Sequence, residues 1–448
     1  MGMNAATQKK IIGITVLAAV IFIGGSYWTG QSTEQTFRDG IEEMAGYGVK
    51  VSLLDYQRSF FSATARTEWL TTLFDDEPVT LTFNHSIWHG PLLAFLSTAS
   101  VRTELILPEE LTGLLRKTFG SDPFKGKPPL TVTTAFGFAG GSSSRIVSPK
   151  FEATAKEGKV KQSWDGFDGK ITTSSGYSKI KATITLDGLT VGSNEDLFRA
   201  GRTTFQSVMK RPDGYELLYV GTSSLTVDKL SFRGVEKDSG SIRAFTAENV
   251  YDESSTTINN GALGIEIRIG ADTIVMDDQS DSPIKNPRLT FLCENLDART
   301  FEAFSKAMRH QGGQQETLPV LQELLRYQPV FSVKNASANW PEGAMMGNAR
   351  IAYVGDGNIA KFSLADLGVD LQLSLPVALI NRLLAEQTAR GLAEKSKQQI
   401  AMFNTMIKNG VLVEEDDVLT VDASLKDGVL VLNGTPKPLG VLEGVLDF

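Results

Sequence analysis

The chain has 448 residues, 41% hydrophobic and 21% charged, with a net charge of -8 and a pI near 5.2. That is enough chain for two or three ordinary domains or one long β-rich body. The acidic balance excludes a nucleic-acid surface, which needs a basic stripe to neutralise phosphates, and the single cysteine, Cys293, excludes an internal disulfide framework.

Lys9 and Lys10 precede the apolar run Ile11–Ile23, and no charge follows until after Ser32. A helix that crosses a bilayer core needs about 20 mostly apolar residues, so this run is long enough. A secretory signal would have a shorter apolar centre with small residues at a cleavage site after it. Here Ala18 and Ala19 fall inside the apolar run, while Tyr27 and Trp28 stand where an interfacial aromatic belt would. The segment reads as a retained single-pass anchor over residues 1–32. The lysines place the N-terminus in the cytoplasm and residues 33–448 outside it.

Beyond the anchor, "STEQTFRDGIEEMAGYG" reads as a short amphipathic helix with Phe37, Ile41 and Met44 on one face. From Val49 the period changes to two. Leu130, Val132, Thr134, Phe136 and Phe138 share a face, as do Ile180, Ala182, Ile184 and Leu186. The same pattern returns in "GIEIRIG" and "LGVDLQLSL". Alternation of this kind predicts antiparallel strands with one dry and one wet face. Asp-Gly pairs begin at Asp165, Asp168, Asp187, Asp213, Asp356 and Asp427, and Asn-Gly pairs at Asn260, Asn409 and Asn433. Such pairs suit two-residue hairpin turns.

Helices are expected over Asn194–Arg211, as a pair within Asn295–Tyr327 broken by "QGGQQ" and Pro319, and as one long helix over Pro376–Lys408. In the pair, Phe301, Phe304 and Met308 form an apolar stripe. Pro376 suits a first helical turn and Asn409-Gly410 a stop. The fold class is therefore α+β, mainly β: a transmembrane helix, then an elongated antiparallel sheet body with inserted helices. "DPFKGKPP" at Asp122–Pro129 is the best linker candidate, or else an exposed loop within a continuous sheet.

Few stretches of the chain carry the residue patterns that chemistry needs. His85 and His89 are four apart in "NHSIWHGP", a spacing that binds a metal on a helix. The alternation around them predicts a strand, where that spacing is about 13 Å. A structural role with the ring nitrogens bonded to loop backbone is the main expectation, with a metal or catalytic site as the alternative. "GSDPFKGK" lacks the spacing and the Ser/Thr of a phosphate loop, and no nucleophile elbow or dinucleotide fingerprint occurs. The acidic runs "VMDDQSDS" and "EEDD" read as solvated turns without a calcium loop's ligand pattern. Cys293 sits in an apolar strand pattern and reads as a buried, inert thiol. Trp340, in the turn "NWPEG", is expected in core or interface. No catalytic residue, metal ligand or cofactor is expected.

Three stretches together resemble one family: the anchor running into "GSYWTGQSTEQTF", then "VSLLDYQRSFFSATARTEW" with Tyr56, Arg58 and Phe61, and "HSIWHGP" at His85–Pro91. The chain resembles the YdgA-like family of Gram-negative envelope proteins, long classed as a domain of unknown function. The likeness extends over nearly the whole length, including the late helix and "DGVLVLNG". It implies an inner-membrane anchor at Lys9, Lys10, Ile11, Ile23, Tyr27 and Trp28 and a large periplasmic part. It carries no catalytic residues, so His85, His89, Gly90 and Pro91 are matched positions without an assigned role. The closing hairpin is similar in style to the C-terminal strands of AsmA-like lipid-handling proteins.

The first function expected is that of a non-catalytic anchored periplasmic protein, acting through protein interaction or envelope support and self-associating through sheet edges. The alternative is lipid or apolar-ligand handling in a sheet-lined groove, with Pro376–Lys408 as a lid. A periplasmic hydrolase or metalloenzyme comes third. The expected partners are the inner membrane, a lipid or an envelope protein, and a second copy of the chain, with no nucleic acid.

Overall fold

The computed structural model of the protein describes residues 50–58, 62–72, 78–89, 99–137, 139–155, 160–193, 196–235, 242–276, 282–309, 314–389 and 393–438. The anchor residues, the amphipathic segment after them, Phe61, Gly90, Pro91 and Phe138 lie outside the described residues. Among the described residues, no helix is long and apolar enough to cross a membrane. The architecture is α+β, mainly β, in two compact units. One comprises Met1–Asp213 and Ser223–Ala244, the other Gly214–Thr222 and Phe245–Phe448.

The first unit opens as a meander. Strands β1 (Lys50–Arg58), β2 (Ser62–Thr72), β3 (Pro78–His89), β4 (Ala99–Ile106), β5 (Thr131–Phe136) and β6 (Ser142–Ser148) each pair antiparallel with the next. Helix α1 (Glu109–Phe119) bridges β4 and β5. Acidic Glu109 and Glu110 begin it, Arg116 and Lys117 end it, and Gly120 closes it with φ of 81°. These charges complement the helix dipole, and the glycine takes the left-handed cap without a Cβ clash. The chain continues through β7 (Phe151–Thr154), β8 (Val160–Trp164), β9 (Phe167–Thr173), β10 (Lys179–Leu186), β11 (Leu189–Ser193), β12 (Leu197–Ala200), β13 (Thr203–Lys210) and β14 (Val220–Val235). The meander extends from β6 to β9, β10 and β13, while β7, β8, β11, β12 and β14 form a second ladder. Alternation puts Leu81, Phe83, Ile87, Val132 and Ile146 at no more than 1% exposure on one face of the meander. Each such side chain stabilises the fold by about 1.5–3 kcal/mol relative to its exposed state. Asp122–Pro129 lies inside this unit as an ordered turn, with Asp122 accepting from the backbone N–H of Phe124 and of Gly126.

In the second unit, β15 (Ile242–Asn259, which enters this unit at Phe245), β16 (Ala262–Gly270), β17 (Thr273–Met276) and β18 (Ile284–Asp297) lead into α2 (Ala298–Arg309) and α3 (Gln314–Arg326). Then come β19 (Val330–Trp340), β20 (Gly343–Tyr353) and β21 (Leu367–Pro376), followed by α4 (Val377–Ala389) and α5 (Ala393–Lys408). The end is β22 (Val413–Glu415), β23 (Val418–Lys426), β24 (Val429–Leu432) and β25 (Thr435–Lys437). The ladder runs β15, β16, β18, β19, β20, β21, β23, β24, β25, antiparallel throughout. Glu302 of α2 fastens Gly214–Thr222 to this unit. Its carboxylate accepts from the backbone N–H groups of Glu216, Leu217 and Leu218 at 2.7, 2.6 and 3.2 Å. Burial alone would raise its pKa, but these donors and the charge of Lys306 hold it below the ordinary value.

Three expectations are corrected. Asn194–Arg211 is not a helix: it carries β12 and β13, and β13 pairs with β10 over its whole length, from Thr203 opposite Leu186 to Lys210 opposite Lys179. The long helix over Pro376–Lys408 is instead the antiparallel pair α4 and α5, with Pro376 the last residue of β21, and the buried Ser396 of α5 donates to the Leu384 carbonyl of α4. Of the hairpin candidates, Asn260-Gly261, Asp427-Gly428 and Asn433-Gly434 do close two-residue hairpins with positive φ at both positions. Asp168-Gly169, by contrast, lies within β9.

Candidate functional site

His85 stands on β3, and the turn expected to receive it is replaced by its neighbouring strands. Its Nε2 meets Thr67 Oγ1 on β2 and its Nδ1 meets Thr103 Oγ1 on β4, both at 2.9 Å. Trp69 Nε1–H donates to the same Thr67 hydroxyl at 2.8 Å. The expectation of loop-backbone partners is thus corrected: a neutral imidazole accepts from one threonine and donates to the other, bridging three strands inside the sheet. Burial lowers its pKa to about 4, so it carries no charge at neutral pH. His89 ends the same strand. Among the described residues, no group of three or more His, Cys, Asp or Glu converges as metal ligands do. Cys293 is buried, and its surroundings and Glu294 push the thiol up to about 11. Neither feature offers a nucleophile or a base near neutral pH.

The second unit presents a different kind of surface. On one face of its sheet, β16 contributes Ile265, Ile267 and Ile269, paired with Cys293, Phe291 and Leu289 of β18. Phe331 of β19 pairs with Cys293 on one side and Ile351 of β20 on the other. Ile351 meets Val369, and Ala349 meets Leu371, on β21. The period of two puts all these residues on one side. The other side carries Glu266, Arg268, Lys334, Arg350 and Asp370, with Arg350 and Asp370 paired at 3.5 Å.

Helices cover the two ends of the apolar face. Phe301 of α2 and Leu324 of α3 pack with Ile265, Phe291 and Cys293. Ile380 and Leu384 of α4, with Phe403, Met406 and Ile407 of α5, pack with Leu373, Leu375, Leu419 and Val421. Between these covers the apolar side chains meet solvent. Ile269, Leu289, Phe331, Ile351 and Leu371 are 45, 40, 42, 46 and 37% exposed. Phe291 and Phe331 lie with ring centroids 6.5 Å apart. A contiguous apolar surface of this kind marks a binding site more often than chance exposure does.

The α4–α5 pair is held at one edge by a polar cluster around the "NWPEG" turn. Arg382 of α4 pairs with Glu342 at 3.0 Å and lies 5.3 Å over the Trp340 ring, and Glu386 stands 3.5 Å from its Nε. Trp340 Nε1, Glu342 Oε2 and Gln387 Oε1 are buried without a hydrogen-bond partner among the described residues. Sequence reasoning placed Trp340 in core or interface and missed Arg382, because the turn and α4 are separated by β20 and β21. It also missed the apolar face as a unit. Each strand showed its own alternation, but no local signal told which faces the helices would leave bare.

Fold and surface together define a strand-rich, two-unit protein with a partly covered apolar sheet face. The chain belongs to the DUF945 family, described as bacterial protein of unknown function, which matches residues 8–440. It is similar to Protein YdgA of Escherichia coli (strain K12), 21% identical over an alignment 502 positions long that covers 97% of this chain and 95% of that protein. This agrees with the YdgA-like resemblance of its short motifs. No solved structure matches it.

Proposed function

We propose that the protein is a non-catalytic, inner-membrane-anchored periplasmic protein that binds acyl chains of lipids on the apolar face of its second unit. The observation that carries this reading is the bare strip from Ile269 and Leu289 through Phe331 to Ile351 and Leu371. Acyl chains suit it because the strip offers continuous apolar contact and few polar groups to fix a polar ligand. The anchor expected at Ile11–Ile23 keeps such a surface beside a membrane that supplies the ligand. The α4–α5 pair packs on the same face and serves as a partial cover.

Two measurements test this. A phosphatase reporter fused at the C-terminus is active only outside the cytoplasm, and the reading predicts activity. A cytoplasmic reporter alone overturns the placement. For the ligand, native mass spectrometry of the full chain should show co-purifying lipid. Phe331→Asp with Ile351→Asp should cut occupancy about tenfold or more, since each buried large apolar side chain is worth about 1.5–3 kcal/mol. Both positions are exposed, so the variant should fold. Equal lipid in wild type and variant would overturn the binding face.

A further inference from the structure

The polar side of the same sheet holds a cleft of about 630 Å³. Arg268, Arg288 and Lys334 line it with Glu266 as the one carboxylate. Arg268 is committed to Glu266 and lies within ion-pair range of Glu253. Arg288 and Lys334 have no ion pair among the described residues, and both are exposed. Thus two uncompensated cations face one concavity in a chain whose net charge is -8.

The backbone is shaped around them. The register of β18 against β19 slips between Lys285 and Arg288 and again between Arg288 and Thr290. That of β19 against β20 slips between Val333 and Ala336. Asn286 and Asn335 take left-handed conformations at these slips, with φ of 50° and 55°. Bulges of this kind re-aim side chains and are common beside binding sites. Arg288 is thereby set opposite Ser337, next to Thr290 opposite Lys334. On the far side, Tyr251 pairs with Gly270, and its ring occupies the space a Cβ at residue 270 would need. The glycine lets the phenol lie flat as a wall of the cleft.

We propose that this cleft binds a phosphate-bearing ligand of about the size of a sugar phosphate. Arg288 and Lys334 hold the anion, and the hydroxyls of Thr290 and Ser337 add donors. Tyr251 provides a flat surface for the uncharged part. A guanidinium presents paired donors suited to phosphate oxygens, and an ammonium adds a point charge. The volume falls within the usual range for small-molecule sites. The cleft's charged lining lies on the side of the sheet opposite Phe331, Ile351 and Leu371, and Leu289 is the one residue of the apolar strip that also lines it, so separate variants test this inference and acyl-chain binding.

The phosphate has two sources, a soluble phosphomonoester or a lipid headgroup. Isothermal titration of the full chain in detergent with glucose 6-phosphate, and separately with water-soluble dihexanoyl phosphatidylglycerol, distinguishes them. Glucose serves as the uncharged control. At least one phosphate probe should bind, with affinity about tenfold weaker in Arg288→Ala and lost in Arg288→Ala/Lys334→Ala. Binding should persist in Phe331→Asp, which alters only the apolar side, and in Arg145→Ala, an exposed cation of the other unit. Binding of neither probe would overturn the proposal. So would equal affinity in wild type and double variant, or an equal loss in Arg145→Ala.

Discussion

The His85 ring ties three strands through two threonines, and its burial lowers the pKa to about 4 from an ordinary 6.5. Between those values the unfolded chain binds a proton that the folded chain does not, so stability rises with pH there. The contribution is complete above about pH 6.5 and falls away as pH drops towards 4, by about 3 kcal/mol in all. Urea unfolding across that window should show this slope, and His85→Gln, which cannot titrate, should flatten it. An identical pH profile in the variant would contradict the assignment. The alternation in "NHSIWHG" already predicts that His85 lies on a strand, but its partners come from Thr67 and Thr103, eighteen residues away on either side. No local pattern names them. Glu302 is a harder case, since the backbone it caps is more than eighty residues earlier in the chain.

At the scale of elements, the Arg382 cluster is an imperfect clasp. A partly buried arginine holds Glu342 and covers Trp340, while Trp340 Nε1, Glu342 Oε2 and Gln387 Oε1 around it have no hydrogen-bond partner among the described residues. Unsatisfied buried groups are costly, so the clasp contributes less than its contacts suggest. Arg382→Ala strands the Glu342 carboxylate and should destabilise the fold by about 2 kcal/mol. Hydrogen exchange in α4 and α5 should quicken while β18 and β19 stay protected. Unchanged exchange in both helices would show that the clasp does not hold them. Asn260-Gly261, Asp427-Gly428 and Asn433-Gly434 are legible because both residues of a tight turn need positive φ. Pro376 and Asn409-Gly410 offer one start and one stop, so 376–408 reads as a single helix where the structure has α4 and α5. "TTFQSVMK" lies in the stretch where a helix is expected, yet the ladder to β10 makes it a strand. Helix α1 was missed although its acidic start, basic end and Gly120 stop were all present.

At the scale of the whole molecule, the strands of the second unit separate an apolar side from a charged one, and helices cover only the ends of the apolar side. Strand alternation made such two-sided sheets predictable, whereas the uncovered strip depends on where α2–α3 and α4–α5 pack. If the strip takes acyl chains, a lipid should be found in contact with it. Photo-crosslinking of the full chain in lipid vesicles that carry a diazirine-bearing fatty acyl lipid, mapped by peptide mass spectrometry, tests this. Acyl-chain binding predicts labelled peptides containing Leu289, Phe331 and Ile351, with that labelling lost in Phe331→Asp/Ile351→Asp. Labelling confined to Ile11–Ser32, or undiminished in the variant, would contradict it.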